Sequence, residues 1–304
     1  MSQLQLRGLI PAFPTPLTAD GEIDDQGLER IVEYQIAAGA SGLVPLGGTG
    51  EATALTQSQR LRVLEATVSV AAGRVPVIAG VLDAGFGGAC DSAKAYEKAG
   101  ADGLMVIPPY YTRTDQAGLL RYFRALRREV TIPFVFYDNP YRSHIVTAPE
   151  TIARMAEEGL AIGMKASNTD LYHLDHVSKI VPDDFAILSG QDTLFVQQVI
   201  LGARGGVLTS AALLPGYWAE VQSLAEQGRV AEALKAQGRL NPLMDALFAE
   251  EFPAAVRAAF EMIGLPIGAA LPPVGAMSEG AVGRLRAAVD ALRDSGVLRE
   301  VYAQ

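Results

Sequence analysis

Short apolar runs that recur along the chain, each followed by a longer amphipathic stretch, constrain the fold more than any other feature. They cover residues 8–13, 42–46, 75–80, 103–107, 133–137, 161–165, 185–189 and 206–209. Each is rich in Val, Ile or Leu without polar alternation, the pattern of parallel strands buried on both faces. The stretches between them carry helix spacing, as in Leu28, Ile31, Val32, Gln35 and Ile36, or Leu61, Leu64, Val68 and Ala72. The segments Ala38-Gly-Ala-Ser-Gly-Leu43, Ala99-Gly-Ala-Asp-Gly-Leu104 and Leu201-Gly-Ala-Arg-Gly-Gly206 repeat one punctuation. A glycine ends a helix and another starts a strand, as short αβ loops require.

Eight βα units within about 210 residues predict an α/β fold, a closed (β/α)8 TIM barrel. The rival is a doubly wound open sheet, which usually carries a Gly-rich loop after its first strand. Here the first strand leads into Pro11-Ala-Phe-Pro-Thr-Pro16, which is no such loop. From Leu213 onward the spacing is helical only, over 215–227, 229–249, 252–263 and 278–294. The expected organisation is a barrel over 1–225 and a C-terminal helical extension over 226–304, packed on the barrel because no Ser/Gly-rich linker separates them.

Composition removes several function classes. The net charge is −9 and the basic residues are scattered, so the chain is not built to neutralise nucleic-acid phosphates. Cys90 is the only cysteine, so no intrachain disulfide forms. Residues 1–7 are polar and lack a signal-peptide apolar segment, and no apolar run reaches the ~18 residues that span a bilayer. The expectation is a cytoplasmic protein with no membrane partner. The histidines are His144, His173 and His176, with no nearby Cys or carboxylate set at metal-ligand spacing, so no metal site is expected.

Barrel chemistry sits at the C-terminal ends of the strands. The second run ends in Gly47-Gly-Thr-Gly-Glu51, where successive glycines let N–H groups turn toward an anion and the Thr49 hydroxyl adds a hydrogen bond. A plain tight βα turn remains open on this motif alone. The fifth run places Tyr137 where its hydroxyl faces the mouth or, equally, packs in the core. Of the five lysines, Lys94, Lys98, Lys179 and Lys235 fall in polar helical stretches. Only Lys165 falls in an apolar strand. A desolvated amine is free to attack a carbonyl, whereas a lysine at a strand end can also simply reach water.

Taken together, Pro11–Pro16, Gly47–Glu51, Pro108-Pro-Tyr-Tyr111, Tyr137-Asp-Asn-Pro140, Gly163-Met-Lys165 and Ser189-Gly190 resemble the dihydrodipicolinate synthase / N-acetylneuraminate lyase family of class I aldolases. The resemblance covers nearly the whole chain. It implies a barrel with a helical C-terminal extension, a homotetramer built as a dimer of dimers, and no metal or organic cofactor. It casts Lys165 as the Schiff-base lysine and Tyr137 as the proton-transfer tyrosine. Thr49 and the N–H groups of Gly48 and Thr49 become the cradle of a keto-acid carboxylate. Tyr111 is cast as the tyrosine that crosses the tight dimer, and Gly190 and Val207 as pocket lining. Arg142 matches the arginine with which the synthases hold the carboxylate of aspartate semialdehyde. Gly48 departs from the synthase pattern, which has a threonine there. A glycine at that point also occurs in dehydratases of keto-deoxy sugar acids. The implied activity is a lyase acting on pyruvate or a related 2-keto acid, most closely a synthase joining it to aspartate semialdehyde. The alternatives are a 2-keto-3-deoxy sugar acid aldolase or dehydratase, and a non-catalytic keto-acid-binding homologue.

Overall fold

The computed structural model describes residues 4–298, so the start of the polar segment 1–7 and the end of the expected extension, 299–304, lie outside the described residues. Seven parallel strands form one curled sheet: β1 (Gly8–Leu9), β2 (Ile78–Val81), β3 (Gly103–Val106), β4 (Phe134–Asp138), β5 (Gly163–Ala166), β6 (Ala186–Ser189) and β7 (Gly205–Gly206). Their order is β1-β7-β6-β5-β4-β3-β2, with helices in the connections. Every residue of β2 through β6 is buried, as continuous apolar runs require.

The run 42–46 differs from expectation. It forms no ladder strand, only parallel bridges from Val44 to Ala12 and from Leu43 to Val77. Its backbone is nonetheless hydrogen-bonded on both sides: Val44 N–H donates to the Pro11 carbonyl, and Leu43 N–H to the Pro76 carbonyl. Pro11, Pro45 and Pro76 supply no N–H, which interrupts the ladder at this seam.

Local signals fix the helix ends. Asp24 caps Asp25–Ala37 by accepting from Gly27 N–H, and Thr56 with Gln59 forms a capping box on Gln57–Ala71. Gly39, Gly100 and Gly202, the repeated loop glycines, all take positive φ just past a helix end.

After β7 the ordered elements are helical, including Pro215–Glu226, Val230–Gly238, Asn241–Leu247, Ala254–Met262 and Glu279–Asp294. The expected helix 229–249 is two helices. Pro242 lacks the N–H and the clearance a helix interior needs, so a new helix starts there. These helices pack on the rest of the chain. Gln237 accepts from Val196 N–H at 2.8 Å and donates to the Thr193 carbonyl at 2.9 Å.

Candidate active site

Tyr137 and Lys165 are register partners on the adjacent strands β4 and β5, near the C-terminal edge of the sheet. Both are buried, and Lys165 Nζ lies 4.5 Å from the centroid of the Tyr137 ring. Asn139, two residues past Tyr137, donates from Nδ2 to the Tyr137 hydroxyl at 2.9 Å. The same side chain accepts from Arg142 N–H as N-cap of the short helix Pro140–Ser143, so one residue orients the phenol and starts the helix that carries Arg142. Burial pushes the Tyr137 phenol up, but the Lys165 charge and hydrogen bonding with Asn139, Ser167 and Lys165 outweigh it. The phenol is held below its ordinary value.

Gly190 follows β6. A Cβ there would collide with Ser167 Oγ and come within 3.0 Å of Lys165 Cγ, so a side chain at this point would displace the lysine. Val207, just past β7, is buried and donates its N–H to the Ser189 carbonyl at 2.8 Å. Thr49 is buried, with Oγ1 3.2 Å from Thr209 Oγ1. Among the described residues, no hydrogen bond is made by the N–H of Gly48 or of Thr49, which leaves two donors free beside that hydroxyl. A Cβ at Gly48 would meet nothing within 4 Å.

Two of the expected residues are exposed rather than buried. Tyr111, in the loop after β3, is 87% exposed, while its neighbour Tyr110 is half-buried and donates to the Leu82 carbonyl. Arg142 is exposed and forms no ion pair among the described residues.

Other polar residues near the site were given no role by the sequence. Ser167, just past β5, donates its N–H to the Asp138 carbonyl at 2.9 Å and its hydroxyl to the Gly190 carbonyl at 3.3 Å. Asp192, past Gly190, is buried and accepts from both the N–H and the hydroxyl of Ser210. Burial raises its carboxyl, while Ser210 and the Lys165 charge pull against that rise. Asp138, next to Tyr137, is also buried; burial pushes it up to about 7 while His173 opposes the rise. Among the described residues no group of three or more His, Cys, Asp and Glu could hold a metal ion, and no helix is long and apolar enough to cross a membrane.

A buried amine against a phenol, together with free N–H donors at the Gly47–Glu51 turn, suits addition to a carbonyl whose substrate also carries a carboxylate. A model of the dihydrodipicolinate synthetase family matches residues 5–292. The 4-hydroxy-tetrahydrodipicolinate synthase of Acidiphilium cryptum is 38% identical over 285 residues, 94% of this chain and 98% of that protein. That of Gluconacetobacter diazotrophicus is 35% identical over 299 residues, 98% of this chain and 100% of that protein. The crystal structure of dihydrodipicolinate synthase from Acinetobacter baumannii complexed with pyruvate superposes with a TM-score of 0.90 at 29% identity, covering 96% of this chain and 100% of that one.

Proposed function

Because the chain belongs to the dihydrodipicolinate synthetase family, we propose that it is a lyase that condenses pyruvate with aspartate semialdehyde through a Schiff base on Lys165, as a 4-hydroxy-tetrahydrodipicolinate synthase. The observation that carries the reading is the buried Lys165–Tyr137 pair on adjacent strands. Lys165 Nζ adds to the keto carbon of pyruvate, and the carbinolamine loses water to give an imine. The imine acidifies the neighbouring methyl, which gives up a proton and becomes an enamine that attacks the aldehyde carbon. Tyr137 relays the protons that these steps release and consume. The Gly48 and Thr49 N–H groups and the Thr49 hydroxyl hold the pyruvate carboxylate, while Gly190 and Val207 line the pocket. The imine is itself the electron sink, so the reading calls for no metal and no organic cofactor.

The architecture in this reading is a closed eight-stranded barrel over 1–225, supported by the bridges of Leu43 and Val44 to both flanks, with a C-terminal helical extension over 226–304. The enzyme is a cytoplasmic homotetramer, a dimer of dimers. Tyr111, which no contact buries within its own subunit, reaches across the tight dimer into the neighbouring site. Mixing inactive Lys165→Ala chains with inactive Tyr111→Ala chains under subunit exchange should restore activity, since a mixed dimer regains one intact site. If mixed dimers form and no activity returns, Tyr111 acts within its own subunit.

Arg142 holds the carboxylate of the second substrate. A charge-assisted hydrogen bond contributes about 1.5–3 kcal/mol. Arg142→Ala should therefore raise the KM for aspartate semialdehyde by roughly 10- to 150-fold. The KM for pyruvate should change far less, and equal effects on both substrates would refute the assignment.

Gly48 supports one second reading, a 2-keto-3-deoxy sugar acid aldolase or dehydratase. The open space at its missing Cβ would admit a bulkier substrate. Steady-state assays of the purified enzyme with pyruvate plus aspartate semialdehyde, and separately with keto-deoxy sugar acids, decide between them. Turnover of the sugar acids alone would overturn the synthase reading. Failure to gain mass from pyruvate under borohydride would instead point to a non-catalytic binding protein.

A further inference from the structure

The glycine turn that carries Thr49 is bounded by two non-glycine residues in the left-handed region, Leu46 at φ 60° and Glu51 at φ 53°. Such residues persist only where the surroundings over-determine them. At Glu51 the cause is visible. Its Oε1 accepts from Arg257 Nε at 2.6 Å and its Oε2 accepts from Leu271 N–H at 3.0 Å. Arg257 stands in the first turn of the helix Ala254–Met262, among the C-terminal helices, and both side chains are almost fully buried. Both terminal nitrogens donate as well. Nη2 donates to the Thr15 carbonyl at 2.7 Å, and Nη1 to the carbonyls of Ile267 and Gly268 at 2.8 and 3.2 Å. Thr15 in turn donates from Oγ1 to the Gly50 carbonyl, inside the turn itself.

A buried ion pair is weak evidence for stability, because desolvation offsets much of the attraction. What this one does provide is direction. One planar guanidinium fixes the loop after β1, the glycine turn and the 267–268 segment to one another, a fork that a lysine cannot reproduce. We propose that Arg257 is a positioning residue for the keto-acid carboxylate, holding the Gly48 and Thr49 donors in register through Glu51. The inference rests on the reading of that turn as the pyruvate cradle. It gives the C-terminal helices a part in substrate affinity.

The test titrates pyruvate against borohydride trapping of Lys165 in the full-length protein. It compares wild type with Arg257→Lys and Glu51→Gln, with thermal melting followed in parallel. A misplacement near 1 Å is enough for effects of order 10²-fold. Folded Arg257→Lys should need roughly 10- to 100-fold more pyruvate for half-maximal trapping. Glu51→Gln should shift the same way, and the KM for the second substrate should move little in either. If Arg257→Lys does not fold, Glu51→Gln decides. A lowered melting temperature with unchanged half-saturation would show a purely structural pair and overturn the proposal. If wild type itself gains no mass from pyruvate, the Schiff-base reading fails and takes this inference with it.

Discussion

Lys165→Ala is expected to leave a folded protein with at least ~10³-fold less turnover, because no other group can form the covalent intermediate. The side chain is buried beside Tyr137, so its removal takes an amine out of an apolar strand rather than breaking an ion pair. A circular dichroism spectrum and melting curve like those of wild type, with activity at background, is the predicted outcome. Retention of more than a small fraction of the activity in the folded variant would sink the assignment.

Tyr137→Phe carries the second largest expected effect. It keeps the ring over Lys165 Nζ and deletes only the hydroxyl, so the loss reports proton relay rather than packing. General acid–base groups contribute about 10²- to 10⁴-fold, and a loss in that range is expected in kcat/KM. The pH dependence has a definite sign. The phenol is held below its ordinary value, so it loses its proton earlier as pH rises. A phenolate cannot donate, so kcat/KM of wild type should fall on the alkaline side before an unperturbed tyrosine would titrate. That limb should be missing in Tyr137→Phe. Near-normal rates in the variant, or an alkaline limb that survives the substitution, would remove Tyr137 from the relay.

The strands legible in the sequence were those whose burial leaves an unbroken apolar signature: β3 and β6 lie inside runs marked by it, and β2, β4 and β5 extend one residue past theirs. The run 42–46 carries the same signature yet makes only bridges, because apolarity reports burial while the ladder depends on N–H groups that Pro45 and the flanking Pro11 and Pro76 lack. Pro242 likewise cut a helix that spacing alone had joined. In the candidate site, Lys165 and Tyr137 stood out because a polar group in an apolar strand is anomalous. Thr209 and Asp192 did not, and Asn139 was quoted in a motif but given no role, since Asn, Thr and Asp after a strand are ordinary loop residues until three-dimensional contacts give them partners. The Arg257–Glu51 pair spans 206 positions, a separation at which no local pattern can signal contact.

The central claim is that Lys165 is the covalent residue, and the most direct measurement is peptide mapping after incubation with pyruvate and reduction with borohydride. The account predicts one reduced pyruvyl adduct per chain, on the peptide that contains Lys165. An adduct on Lys94, Lys98, Lys179 or Lys235 in its place, or no adduct at all in folded protein, would contradict it.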